Sequence, residues 1–76
     1  MSFMKVFKTI ETDVDGLGLA IKTAREDSDK PLTAICGLVG MSVTNWYRLE
    51  SESQAISLET LQKIETVLGV NFGVIL

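Results

Sequence analysis

The sequence predicts one small, mostly α-helical domain of four or five short helices, with a short β-strand possible at each terminus. Three observations predict this fold class. Apolar residues recur at helical spacing between residues 13 and 68, interrupted by Pro and Gly residues. The two ends of the chain are short and apolar, which is typical of strands. The chain has only 76 residues, so we expect residues 1–76 to form a single domain around one core.

The N-terminal segment, residues 3–10, favours a strand because β-branched and aromatic residues alternate along it. The two faces of this strand would be Met4, Val6, Lys8 and Ile10 on one side and Phe3, Lys5, Phe7 and Thr9 on the other. So short a run also fits a helix. In that helix, one face would carry Phe3, Phe7, Ile10 and Val14.

Helix 1 is predicted over residues 13–27. Asp13 and Asp15 are residue types that cap helices or stabilise their first turn, and apolar residues follow them at helical spacing. Gly16 and Gly18 should weaken this helix, each by about 1 kcal/mol relative to alanine.

Helix 2 is predicted over residues 32–39. Pro31 suits its first position, where a backbone N–H has no partner within the helix. Gly40 suits the left-handed residue that ends a helix. Helix 3 follows over residues 43 to about 51, and Ser42 is expected to cap it by accepting a backbone N–H two or three residues later.

The polar residues 52–54 are predicted as a loop, and Ser57 is expected to cap helix 4, which continues until Gly69. The tail, residues 70–76, is predicted as a second strand. The terminal strands would pair with each other or with another chain, and either arrangement would cover an edge.

Residues 32–51 are the most informative part of the chain, because a tight turn at residues 40–42 joins two short helices. Cys36 and Gly37 are small and would let helix 2 approach helix 3 closely. The side chains expected to fill the angle between the helices are Ile35, Val39, Trp46 and Leu49. This combination predicts a helix-turn-helix.

Several residues follow a recognised spacing: Ile35-Cys36, Gly40-Met41-Ser42, Trp46, Leu49-Glu50 and the run Ser57-Leu58-Glu59-Thr60-Leu61. With them, residues 17–70 resemble the Cro and lambda-repressor-like helix-turn-helix family, of XRE type. Ile35-Cys36 stand where that family has a Leu-Ala pair, and Trp46 stands where it has a buried aliphatic residue.

The resemblance implies sequence-specific DNA binding by a homodimeric transcriptional regulator of the repressor type, with helix 3 in the major groove. It assigns DNA contacts to Val43, Thr44, Asn45, Tyr47 and Arg48 in helix 3 and to Leu32 and Thr33 at the start of helix 2. Thr44 and Asn45 would hydrogen bond to base edges, and Val43 would touch a thymine methyl group. Arg48 would reach a guanine or a phosphate, and Tyr47 would donate to a phosphate.

Other roles compete with some of these assignments. Ser42 and Asn45 are also explained by capping of helix 3, and Tyr47 is equally explained by packing. Trp46 is expected to point inward, because its spacing with Leu49 places both on one helix face.

The resemblance also implies an ion pair between Arg25 and Glu50, because family members commonly join the glutamate that ends helix 3 to an arginine in helix 1. We expect this pair to be fork-shaped and partly buried. The alternative is that both residues are separately solvated charges. Gly40, in the turn, and Trp46, in the core, are the other residues to which we assign a structural role.

Charge argues against DNA binding. The chain has 7 Lys and Arg residues against 10 Asp and Glu residues, a net charge of −3, whereas DNA-binding domains are usually basic. Residues 31–50 contain only Arg48 and Glu50 as charged residues, so the acidity lies mainly elsewhere. Family members often have Gln where this chain has Val43, and Gln or Ser where it has Pro31-Leu32. We therefore expect a modest affinity for DNA.

Two functions remain open at this point: a DNA-binding regulator, and a protein-interaction module or antitoxin-like partner that has this fold but binds DNA weakly or not at all. Enzymatic activity is not expected, because the chain has no His and its single Cys36 occupies a packing position. No metal, disulfide or cofactor is expected either. No apolar run reaches the roughly 18 residues that span a bilayer, so we expect a cytoplasmic protein without membrane contact.

Overall fold

The computed structural model describes residues 3–7 and 11–74. The elements in chain order are β1 (Phe3–Phe7), β2 (Glu11–Asp15), α1 (Leu17–Glu26), α2 (Leu32–Val39), α3 (Val43–Glu50), β3 (Ile56–Ser57) and α4 (Leu58–Leu68). The described part of the chain is mostly α-helical, with four helices and a three-stranded sheet of order β2-β1-β3. Within it, no helix has the length and apolar character needed to cross a bilayer.

The predicted N-terminal strand is confirmed over Phe3–Phe7, and residues 8–10 lie outside the described residues. β1 pairs antiparallel with β2, where Met4 lies opposite Val14, and parallel with β3, where Val6 lies opposite Ile56. Burial alternates along β1 as the sequence predicts. The buried residues are Met4 and Val6, and the exposed residues are Phe3, Lys5 and Phe7.

The first helix begins later than the sequence predicts. Residues 13–15 end β2, and α1 begins at Leu17 after Gly16, which has φ 69° and forms no side-chain cap. The assignment of Asp13 and Asp15 to a helix N-terminus is therefore wrong. Antiparallel pairing with β1 places these residues in the sheet, opposite Lys5 and Phe3, and it places Val14, which lies between them, against the core.

The bounds of the next helix and its connection to α3 agree with the sequence prediction, and α2 occupies Leu32–Val39. The prediction that Pro31 takes the first position of this helix is wrong by one residue, because the carbonyl of Pro31 already accepts the N–H of Ile35, which makes Pro31 the N-cap residue. Gly40 ends α2 with φ 89°, in the left-handed region. Ser42 caps α3, because its Oγ accepts the backbone N–H of Asn45 at 3.1 Å.

The fourth helix also begins and ends where predicted. Ser57 Oγ accepts the backbone N–H of Thr60 at 3.1 Å, and Gly69 ends α4 with φ 68°. The strand β3 immediately before this helix is not predicted by the sequence analysis.

The predicted strand of the C-terminal tail is wrong for residues 70–74, and residues 75–76 lie outside the described part of the chain. The tail instead packs against the core through Phe72 and Val74. It is also held by the backbone N–H of Phe72, which donates to the carboxylate of Glu65 at 2.8 Å. β1 therefore pairs with β2 and β3 and not with the tail.

The buried core of the described residues lies between the sheet and the four helices and comprises Met4, Val6, Leu17, Ile21, Ile35, Cys36, Val39, Trp46, Leu49, Ile56, Leu61 and Ile64. It includes all the side chains predicted to fill the angle between helices 2 and 3. The prediction of a close approach at Gly37 is wrong, because Gly37 is exposed and no atom lies within 4 Å of the position that a Cβ would take. Of the two small residues Cys36 and Gly37, only Cys36 faces the core.

Candidate nucleic-acid interface

α3 has one buried side and one exposed side. Trp46 and Leu49 lie in the core, with 0% and 1% of their surface exposed. The exposed side carries four residues that the sequence analysis assigned to DNA contact, here called the α3 face: Thr44, Asn45, Tyr47 and Arg48. Helical spacing places these side chains beside one another. Tyr47 is 52% exposed, which contradicts the alternative that its ring packs in the core.

The apolar residues assigned to DNA contact occupy a different environment. Val43 and Leu32 are half-buried and pack against the core at the starts of α3 and α2. Thr33, next to Leu32, is exposed. Val43 and Leu32 therefore hold the starts of α3 and α2 against the core. Among the residues assigned to DNA contact, the exposed polar side chains are those of Thr33 and the α3 face.

The start of α2 also exposes backbone donors. The carbonyl of Pro31 accepts the N–H groups of Ala34 and Ile35 at 3.0 and 3.1 Å. The preceding N–H groups, those of Leu32 and Thr33, have no acceptor among the described residues. Free N–H groups at a helix start are suited to an anion, because they can hydrogen bond to it and the helix dipole favours it.

The buried side of α3 ends in a hydrogen-bonded cluster around Glu50. Arg25 on α1 donates from Nε to Glu50 Oε2 at 2.5 Å and from Nη2 to Oε1 at 3.1 Å. Trp46 donates from Nε1 to Glu50 Oε2 at 2.6 Å. The side chains of Arg25 and Glu50 are 19% and 7% exposed, so the predicted fork-shaped, partly buried ion pair is confirmed. Its hydrogen bonds raise the pKa of Arg25 above its ordinary value.

This cluster changes the charge balance of the exposed surface. Residues 31–50 contain only Arg48 and Glu50 as charged residues, and the Glu50 carboxylate is largely buried against Arg25. The Arg48 guanidinium is exposed and forms no ion pair with any residue that the structure describes. The exposed surface of α2 and α3 therefore carries one positive charge, although the formal charge of this segment is zero.

Gly18 and Glu52 position the C-terminal end of α3 and were not identified from the sequence. A Cβ on Gly18 would lie 2.5 Å from the backbone oxygen of Glu50, so α1 and α3 meet at a point where only glycine fits. The N–H of Gly18 donates to the carboxylate of Glu52 at 3.3 Å, and Glu52 has a positive φ of 60°. A glycine inside a predicted helix, where it costs about 1 kcal/mol relative to alanine, is the signal that would have predicted this close contact.

The single cysteine does not form a reactive site. Cys36 is only 3% exposed, and burial raises the pKa of its thiol, so the nucleophilic thiolate is disfavoured. Within the described residues, no three side chains of His, Cys, Asp or Glu come together as a group that could hold a metal ion. No model of a protein family, no curated protein and no solved structure matches the chain.

Proposed function

We propose that this protein is a sequence-specific, DNA-binding transcriptional regulator of the repressor type, with a lambda-repressor-like helix-turn-helix formed by α2 and α3. The observation that carries the proposal is the α3 face, which exposes four polar side chains on a short helix whose other side is fixed in the core. A helix of this kind fits the major groove, where side chains can read base edges.

The side chains of the α3 face suit different contacts in this arrangement. Thr44 and Asn45 lie in the first turn of α3 and would hydrogen bond to base edges. Arg48 and Tyr47 lie further along the helix, where Arg48 would bind guanine or phosphate and Tyr47 would donate to phosphate. The free N–H groups of Leu32 and Thr33 would bind a further phosphate at the start of α2.

Rigid positioning of α3 supports the proposal. Trp46 is fully buried, and Glu50 joins it to Arg25 on α1 through hydrogen bonds of 2.6 and 2.5 Å. These contacts fix both the rotation of α3 about its axis and its angle to α1. A recognition helix needs a fixed rotation and angle, because its side chains can read bases only when they are held in register with the groove.

We further propose that the regulator acts as a homodimer in the cytoplasm. Two copies would place two α3 helices in successive major grooves of a palindromic site, about one helical turn apart. A single exposed cation on α2 and α3 gives each copy little phosphate neutralisation. Two copies on one duplex would compensate by binding both half-sites together.

The test is the binding of fluorescently labelled duplex DNA, first of random sequence and then of sites selected from a random library by the protein. Binding should appear at about 50 mM salt and weaken strongly by about 200 mM. Arg48→Ala should lower the salt slope by about 1 if Arg48 contacts phosphate, or relax the preference for guanine if it contacts a base. Thr44→Ala should reduce the preference for the selected site.

Lys5→Ala is the control for Arg48→Ala, because it also removes one positive charge but does so on β1, outside α2 and α3. It should leave DNA binding nearly unchanged. Failure of the wild-type chain to bind any duplex at low salt would overturn the proposal. So would equal losses of affinity in the Lys5 and Arg48 variants.

A protein-interaction module or antitoxin-like partner is the second candidate function. The specific observation in its favour is that Arg48 is the one exposed charged side chain of residues 31–50. A domain whose DNA binding rests on neutralising phosphates usually has a cluster of exposed Lys or Arg side chains on its binding face. The DNA measurements above separate the two candidates, because the interaction module predicts weak binding or none even at low salt.

A further inference from the structure

The outer face of the sheet combines apolar and acidic side chains in the solvent. Phe3 and Phe7 on β1 are 50% and 39% exposed, and Lys5 lies between them. On β2, Asp13 and Asp15 are exposed, and the register places them opposite Lys5 and Phe3. We call these five residues the sheet face.

The sheet face carries an excess of negative charge. Lys5 Nζ lies 3.8 Å from Asp13 Oδ1, so this ammonium already has one carboxylate beside it. Asp15 forms no ion pair with any residue that the structure describes. Two carboxylates against one ammonium, next to exposed phenylalanine rings, form a surface that is complementary to a partner with basic and apolar side chains.

The backbone beside the sheet face is open for pairing. β2 is an edge strand, because the order β2-β1-β3 gives it a neighbour on one side only. β3 has only two residues, which pair with Val6 and Phe7, so no strand of the described chain lies beside the first half of β1 on that side. A shallow cleft of about 270 Å³ occupies this position, lined by Phe3, Lys5 and residues 52–55. Open strand edges of this kind can pair with an added strand.

We propose that the sheet face docks an extended segment of another protein whose side chains on one side of the strand, at every second position, include both basic and aliphatic residues. The aliphatic side chains would cover Phe3 and Phe7, and the basic side chains would lie against Asp13 and Asp15. A second copy of this chain is a poor occupant, because it would bring the same excess of carboxylates to the contact. Nucleic acid is excluded by the same charge argument.

This inference goes beyond DNA binding and does not depend on it. The sheet face comes from β1 and β2, whereas the α3 face comes from a different element, so a partner on the sheet face need not occupy α3. A regulator bound to DNA could then hold a second protein, and an interaction module would use the same face without DNA.

The test measures the binding to the full chain of a labelled synthetic peptide in which lysine and valine take turns at every second position, with threonine between them, so that both lie on one side of the extended peptide. The same peptide with glutamate in place of lysine is the charge control. The lysine peptide should bind, and its binding should weaken between low salt and about 0.15 M salt. Amide chemical shifts should change mainly at residues 3–7 and 13–15.

The double variants Asp13→Asn/Asp15→Asn and Phe3→Ser/Phe7→Ser should each weaken peptide binding by about tenfold or more. Matched changes elsewhere on the surface, Glu59→Gln for charge and Leu38→Ser for apolar exposure, should have little effect. DNA binding by the sheet-face variants should match that of the wild-type chain, so failure of this inference is distinguishable from failure of DNA binding.

Three outcomes would overturn the inference. The first is that neither peptide binds, or that both bind equally. The second is that the Glu59 and Leu38 variants weaken binding as much as the sheet-face variants. The third is a homodimer in sedimentation that dissociates on Phe3→Ser/Phe7→Ser, because a second copy would then be the occupant of the sheet face.

Discussion

Arg25 and Glu50 join α1 to α3 through two parallel hydrogen bonds, from Nε to Oε2 at 2.5 Å and from Nη2 to Oε1 at 3.1 Å. The residues are 25 positions apart in the chain, and the same carboxylate also accepts from Trp46. Glu50 is therefore the junction of α3, the buried indole of Trp46 and α1. Because both partners are largely buried, loss of either would leave the other without its compensating charge.

We expect Arg25→Met and Glu50→Gln each to lower the free energy of unfolding by about 2–3 kcal/mol, because each leaves a buried charge-assisted hydrogen bond unmade. The double variant should be less destabilised than the sum, with a coupling of about 1 kcal/mol or more. Urea unfolding measures the free energy of unfolding of the four proteins in this double-mutant cycle: the wild type, the two single variants and the double variant.

The exposed pair formed by Lys63 and Glu59 is the matched control for this cycle. Its side chains are 54% and 82% exposed and lie 3.7 Å apart at i,i+4 spacing on α4. Its coupling should stay below about 0.5 kcal/mol, because water screens the interaction. A coupling between Arg25 and Glu50 no larger than this control would show that the buried pair does not join α1 to α3 energetically.

Gly18→Ala should destabilise the protein although alanine is the better helix former. Its Cβ would lie 2.5 Å from the backbone oxygen of Glu50 and 3.0 Å from that of Leu49, so the contact of α1 with α3 would have to open. We expect a loss of about 1–3 kcal/mol, the usual range for overpacking. The measurement is the midpoint of thermal or urea unfolding.

Gly37→Ala gives the opposite expectation within the same protein. Gly37 is also helical, but nothing lies within 4 Å of its Cβ position, so alanine should stabilise α2 by about 0.5–1 kcal/mol. If both substitutions changed stability in the same direction, the tight contact at Gly18 would not be the cause.

Burial of Cys36 should make stability fall in alkaline solution. Burial raises the pKa of the folded thiol above its ordinary value of 9.0, so the unfolded state loses this proton first as the pH rises. The contribution of the thiol to stability is therefore complete below about pH 9 and is lost as the pH rises through the folded pKa. Urea unfolding at a series of pH values measures this slope.

Cys36→Ala is the control, because every other titrating group remains in that variant. The wild-type free energy of unfolding should decrease more steeply above about pH 9, by at most about 1.4 kcal/mol per pH unit relative to the variant. Identical slopes in the two proteins would show that the thiol is not protected by burial.

Local chemistry explains why α2 and α3 could be predicted and β2 could not. Pro31, Gly40 and Ser42 act on their immediate neighbours, so their positions fix helix ends from sequence alone. The strand β2 depends on pairing with β1, whereas Asp13 and Asp15 locally favour a helix start over a strand. Long-range pairing therefore overrides the local preference.

The same distinction holds for the candidate site. The exposure of Thr44 and Arg48 follows from helical spacing, because Trp46 and Leu49 had to face the core. The half-buried positions of Val43 and Leu32 depend on how the helix starts pack against the core, which spacing does not specify. The role of Gly18 depends on the approach of α1 to α3, a tertiary contact.

Two serine caps lie at the starts of two helices, of which only α3 belongs to the proposed DNA-binding element. Ser42 caps α3 and Ser57 caps α4, each by accepting one backbone N–H at 3.1 Å. Replacement of either residue by alanine should lower the free energy of unfolding by about 1 kcal/mol, because one N–H at the helix start loses its acceptor. Urea unfolding should therefore show similar losses for Ser42→Ala and Ser57→Ala.

DNA binding should separate the two variants. Ser42 fixes the first turn of α3, which carries Thr44 and Asn45, so its loss lets these two residues, which we propose to contact bases, move relative to the core. We expect Ser42→Ala to weaken binding to the selected duplex by several-fold more than Ser57→Ala, measured well below the unfolding midpoint of both. Ser57 also donates from Oγ to Thr60 Oγ1 at 2.8 Å, so Ser57→Ala should lose at least as much stability as Ser42→Ala. Equal losses of affinity would then mean that DNA binding follows overall stability and not the placement of the first turn of α3.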